Sequence, residues 1–182
     1  MRRLEDYNGP LNPNIKLEDF SKDVLLKLLK TYGRLYLAID GFWYLSVKEK
    51  VNNDMALACD LWVWERQCKN EIQRITKLLN IHGKDVISIF KFFQLSPWTW
   101  NLQYEMEIRN KNLGILTVVR CPTLEAMEKE GEEREKTFCK DVESTIFKMY
   151  VDYFNPQIGV QYLKLPPRKN KDEIACQWEF KM

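Results

Sequence analysis

Residues 104–119, YEMEIRNKNLGILTVV, decide the fold class. Tyr104, Met106 and Ile108 alternate with Glu105, Glu107 and Arg109, and Asn110-Lys111-Asn112 then supplies a polar turn. Ile115, Thr117 and Val119 continue the period of two beyond it. Alternation on both sides of a short turn predicts a β-hairpin with one buried face. Downstream, a helical pattern starts at Thr137 and runs to about Phe154, turning Val142, Ile146, Met149, Tyr150 and Tyr153 inward, until Asn155-Pro156 stops it. A second hairpin follows, Ile158 to Leu165 and Ile174 to Lys181, joined through Pro166-Pro167. In its last strand Ile174, Cys176, Trp178 and Phe180 share one face. Two hairpins around one helix form a β-β-α-β-β unit, most simply a four-stranded antiparallel sheet with helices on one face.

Upstream of this unit the period is helical. Ser21 is a candidate N-cap, and Leu25, Leu28, Leu29, Tyr32, Tyr36, Ile39 and Trp43 fall on one stripe at 100° per residue. A second helix, capped by Asp54, carries Leu57, Leu61, Trp64, Cys68, Ile72, Ile75 and Leu79, and His82-Gly83 closes it. A third covers Asp85 to Leu95 and breaks at Ser96-Pro97. Before Ser21, the turn formers Asn8-Gly9-Pro10 and Asn12-Pro13-Asn14 show no period. The expected organisation is an extended arm over 1–20 and a single α+β domain over 21–182, helical over 21–97 and sheet-bearing over 98–182.

The composition is globular, with 45% apolar and 30% charged residues. The 28 basic and 26 acidic residues are mixed along the chain, without the one-signed patch of a nucleic-acid binder. The densest charge run, Glu125 to Lys136, reads as a solvated helix face or loop, with recognition of a cationic partner as the sharper alternative. No window reaches a membrane span, and Met1-Arg2-Arg3 precedes no apolar leader. Five cysteines, an odd number without a secretion signal, point to reduced thiols and a cytoplasmic protein.

Three of those cysteines form the first candidate constellation. Cys121 ends a strand, Cys139 lies near a helix start and Cys176 sits on the inner face of the last strand. A helix N-terminus favours an anionic sulfur, and three thiolates with one further donor satisfy tetrahedral zinc. Glu143, His82, water or a ligand could be that donor. The plainer reading of each cysteine is a small buried hydrophobe, the usual role of a free cysteine and the one expected of Cys68 on its apolar stripe.

The helices supply the second constellation. Asp40 lies about 60° from the centre of the first stripe, and Glu65 and Glu71 lie about 60° on either side of the second. A carboxylate there needs a partner or a raised pKa. Neighbouring Gly41 fits a close helix crossing. Asp40, Trp43, Trp64, Glu65 and Trp98 are the candidate ligand-binding residues, walling an aromatic pocket or else packing an ordinary core. No glycine-rich phosphate loop, HExxH or GxSxG is present.

Several runs carry a resemblance. Ala38-Ile39-Asp40-Gly41-Phe42-Trp43-Tyr44-Leu45, Val63-Trp64-Glu65-Arg66, Leu95-Ser96-Pro97-Trp98, Cys121-Pro122, Cys139 with Glu143, and Cys176-Gln177-Trp178-Glu179-Phe180 together resemble a family of small prokaryotic cytosolic proteins labelled as similar to L-2-amino-thiazoline-4-carboxylic acid hydrolase. The resemblance covers about residues 20–182. Members carry an additional cysteine pair near the third strand, where this chain reads Tyr162-Leu163-Lys164-Leu165-Pro166-Pro167 without a thiol. The second half also resembles the four-vinyl reductase domain, which implies a hydrophobic ligand cavity and cysteines that hold zinc.

The preferred expectation is a small-molecule-binding or sensory domain with an aromatic-lined cavity and a zinc ion on Cys121, Cys139 and Cys176. The alternative is a hydrolase of a small thiazoline or amide, using metal-bound water or Cys139 as nucleophile. A structural subunit is the third reading. The expected partners are a small molecule and a second copy of the chain, with neither nucleic acid nor membrane.

Overall fold

In the computed structural model, which describes residues 3–182, the helical half begins where the Ser21 hydroxyl accepts from the Val24 amide at 3.3 Å. Met1 and Arg2, part of the leader reading above, lie outside the described residues. Helix α1 spans Lys22–Lys50 and α2 spans Asn53–Leu79. Asn52, rather than Asp54, caps α2 by accepting from the Met55 amide, and Asn80 ends it in the left-handed region at φ 57°. Helix α3, Val86–Phe93, is capped by Asp85. Strands β1 (Gln103–Asn110) and β2 (Leu113–Arg120) form the first hairpin. Helices α4 (Pro122–Glu130) and α5 (Glu135–Phe154) follow, then β3 (Gly159–Lys164) and β4 (Cys176–Lys181).

The sheet is antiparallel throughout, in the order β1-β2-β4-β3. The last strand therefore joins the two hairpins. Directly paired residues share a face, so Tyr104, Val118 and Cys176 lie on one side with Met106, Leu116 and Trp178. That side meets the helices: Leu116 and Phe180 are fully buried. On β2 the helix-facing set is even-numbered, a one-residue offset from the predicted Ile115, Thr117 and Val119. Gly114 marks a close approach of β2 to α3, because a Cβ there would sit 2.9 Å from both Phe90 Cζ and Val86 Cγ1. Gln177 donates to Thr117 and Gln161 to Glu179 on the opposite side, which stays polar.

Aromatic rings fill the space between α3, α5 and the sheet. Phe93 is fully buried, with Trp98, Phe147 and Phe180 each at 5.5 Å between centroids. Above them α2 packs on α5. Glu71 is sealed in that helical layer, where Tyr36 and Tyr150 donate to it at 3.1 and 3.4 Å. Burial raises its pKa.

Helix α1 packs differently from the predicted stripe. Gly33, Leu37, Asp40 and Tyr44 face inward, roughly 110° around the helix from Tyr32, Ile39 and Trp43, and of the predicted stripe Tyr36 reaches the core, against Trp64 and Glu71. The close crossing is at Gly33 and not at Gly41. A Cβ on Gly33 would come 3.1 Å from the Pro97 carbonyl oxygen, and Asn101 bridges both carbonyls at 3.0 and 3.1 Å; nothing lies within 4 Å of a Cβ on Gly41.

Candidate functional site

The inward face of α2 repeats every four residues, and Asp60, Trp64 and Cys68 on it are buried. Trp64 reaches a cavity of about 100 Å³ whose helical wall includes Leu37 and Asp40 of α1 and Cys139, Glu143 and Phe147 of α5. Val118, Cys176 and Trp178 form its sheet floor, Trp98 closes one side, and Cys121, Thr123 and Leu124 close another. Cys121 is placed there as the N-cap of α4, its sulfur accepting from the Leu124 amide at 3.5 Å. Cys176 is placed by register, paired across the sheet with Val118. The lining contains two carboxylates, three thiols and no Lys, Arg or His.

A wider vestibule of about 570 Å³ adjoins this chamber. Leu37, Asp40, Thr123 and Phe138 line both spaces, so Asp40 stands at their junction. The vestibule holds the basic groups that the chamber lacks: Arg34, Arg120 and Arg134. Arg120 pairs with Glu125 at 2.6 Å. Arg134 pairs with Glu130 at 2.8 Å and stacks 4.5 Å over the Tyr44 ring. Asp60 also lines this space; it is 5% exposed, and its Oδ2 has no hydrogen-bond partner among the described residues.

Burial governs the acids. It raises Glu143 to about 7, with the Asp40 charge adding to the effect. Asp40 itself rises to about 6 through burial, moderated by a bond from Trp64. Asp60 rises to about 7, first by burial and then by the nearby charges of Asp40 and Glu143; Arg134 and Trp64 pull the other way. The thiols behave alike. Burial lifts Cys121 to about 11 and Cys176 to about 12, and it lifts Cys139 further, with Glu143 the next cause. Desolvation disfavours an isolated anion wherever no cation answers it.

Of the residues singled out in the sequence, Asp40, Trp64, Trp98, Cys121, Cys139 and Cys176 line the chamber together. Trp43 and Glu65 do not. Trp43 is 62% exposed on the outer face of α1, and Glu65 is turned outward from Trp64, with Arg66 3.6 Å away. Cys139 lies one residue beyond the first turn, because α5 begins at Glu135, so the helix terminus gives its sulfur less support than predicted. His82 bonds Asn80 and lines neither space. Among the described residues, no group of three or more His, Cys, Asp or Glu side chains is arranged to hold a metal ion. The three thiols border one chamber from α4, α5 and β4, but form no such group. Asp60 was missed in the sequence, although its position one turn before Trp64 was a usable signal.

Residues 18–182 match a protein family described as a family of unknown function, DUF6125. The chain belongs to that family. No curated protein and no solved structure matches it.

Proposed function

We propose that this DUF6125 chain is a small-molecule-binding domain, and that its ligand is a compact, largely apolar molecule carrying a basic group. One observation carries the reading: the chamber sets Asp40 and Glu143 among indole and phenyl walls with no basic side chain in its lining. A protonated amine beside those carboxylates would supply the missing cation, and the aromatic faces would attract it further. The vestibule serves as the way in. Five unpaired cysteines fit a reducing compartment, and we place the protein in the cytoplasm. Among the described residues no helix is long and apolar enough to cross a membrane.

The test is calorimetry at pH 8 with benzylamine and phenethylamine against benzyl alcohol. The amines should bind and the alcohol should not, and Glu143→Gln should weaken amine binding at least tenfold. Equal binding of amine and alcohol, or none of either, refutes the reading.

A second reading, zinc on Cys121, Cys139 and Cys176, is favoured by the three thiols lining one chamber. It requires side-chain movement, since the sulfurs do not already form a metal-holding group. Elemental analysis of protein purified without chelator decides it: one zinc per chain and a melting point lowered by EDTA support zinc, and a metal-free protein indifferent to EDTA refutes it. Hydrolysis through Cys139 draws no comparable support, because burial holds that thiol protonated and no histidine lines the chamber.

A further inference from the structure

The outer face of α1 is unlike the rest of the surface. Leu29, Tyr32, Leu35, Ile39, Phe42 and Trp43 are each between 47% and 71% exposed, and they form one continuous stripe over four turns. The charges between its ends, Lys30, Arg34 and Asp40, are turned away from the stripe centre by roughly 80° or more. Scattered exposed apolar residues are ordinary, but a contiguous row of six on one helix marks an interface.

We infer that this stripe is the interface of a two-fold symmetric homodimer, with α1 packed antiparallel against α1 of a second copy. Two features select a second copy as the occupant. The first is area. At ~200 Å² for each large side chain, the exposed fractions sum to roughly 700 Å² per copy, close to the ~800 Å² that each partner of a stable complex contributes.

The second is self-complementarity. A two-fold axis near Leu35 and Tyr36 brings Leu29 of one copy against Phe42 of the other, and Tyr32 against Ile39. Both of those contacts set an aliphatic side chain against a ring and occur twice, as an isologous interface requires, while Leu35 meets its own copy beside the axis. Phe42 also lines the vestibule, so the second copy borders the entry to the chamber. The inference rests on α1 alone and stands whether or not the chamber takes an amine.

The experiment is sedimentation velocity on the full chain at about 5–50 µM. The expected mass is twice the 21.8 kDa of one chain. Ile39→Glu with Phe42→Glu should weaken self-association about 100-fold or more, while the circular dichroism melt stays within a few degrees, because both side chains are exposed. Orientation is read separately: Leu35→Cys, near the axis, should cross-link to itself under mild oxidation, and Leu29→Cys should not. A wild-type monomer at 50 µM overturns the inference, whether it stays in solution or pellets with phosphatidylcholine vesicles. So does a double variant that remains dimeric. Cross-linking through Leu29→Cys but not Leu35→Cys refutes the antiparallel arrangement.

Discussion

Replacing Asp60 by Asn should stabilise the protein at alkaline pH and leave it unchanged in acid. The side chain is 5% exposed, one carboxylate oxygen has no partner among the described residues, and burial raises its pKa to about 7 from an ordinary 3.8. The groups facing it are Asp40 from α1, Glu143 from α5, Trp64 from its own helix and Arg134 at the start of α5. A folded-state value above the unfolded one means that the native state binds the proton more tightly. The wild type therefore keeps its full stability below about pH 4 and loses part of it as pH rises through about 7. A gap of about three pH units corresponds to ~4 kcal/mol once Asp60 is fully ionised. Asp40 and Glu143 relax when their neighbour's charge is removed, so Asp60→Asn should recover about 2–4 kcal/mol at pH 8.5. For a chain of this length that raises Tm by roughly 5–15 °C. The assay is a pair of thermal melts from pH 4 to 8.5, read as variant minus wild type, so that titrations common to both cancel. A Tm difference that does not grow with pH, or a variant less stable at pH 8.5, refutes the claim that Asp60 is an uncompensated buried acid.

Gly114→Ala should cost about 1–3 kcal/mol in urea melts, since the new methyl meets Phe90 and Val86 at 2.9 Å inside a filled layer. Phe93→Ala should cost about 3–5 kcal/mol, because that ring is fully buried and packs against Trp98, Phe147 and Phe180 at once; a loss under 1 kcal/mol would show that the layer refills. Cys59, Cys121, Cys139 and Cys176 are all partly exposed, yet with iodoacetamide at pH 8 Cys59 should be alkylated well before the other three and before buried Cys68, because the desolvated surroundings of those four keep their thiols protonated. Mass spectrometry of the time course checks the order, and Cys139 labelling as fast as Cys59 would contradict it.

The order of the other elements was legible because the period of the apolar residues changes from 3.6 to 2 near Trp100 and most helix ends carry a cap or a proline. Helix α4 was not legible. Within the acidic run it buries only Leu124 and Met127, a spacing too short to show a period, and its other side chains are solvated. Strand β2 misled in parity for the opposite reason: Ile115, Leu116, Val118 and Val119 are apolar at both parities, so only pairing with Trp178 and Phe180 of β4 decides which set faces the helices. The meeting of Cys121, Cys139 and Cys176 at one cavity follows from topology. Cys121 leaves β2 one residue beyond Arg120, and β4 docks on β2 with Cys176 against Val118.

Helix α1 shows why the site was harder to read than the fold. Its strongest apolar stripe was the natural candidate for burial, yet the packed face is the weaker one, Gly33, Leu37, Asp40 and Tyr44. Area alone would turn the helix the other way. The choice is made by what that weaker face meets. Gly33 lets the backbone approach Pro97, with Asn101 donating to both carbonyls, and a bulkier residue would hold the helix away. Asp40 finds the Trp64 indole, and Tyr44 donates to Asn53 at 2.9 Å while its ring lies under Arg134. Those specific polar contacts fix the rotation of α1, and the rotation does two things together. It presents a carboxylate to the chamber, and it leaves six large apolar side chains exposed. An acidic chamber and an apolar outer face are therefore consequences of one packing choice. A substitution that rotates α1, such as Gly33→Leu, should disturb ligand binding and self-association in the same protein.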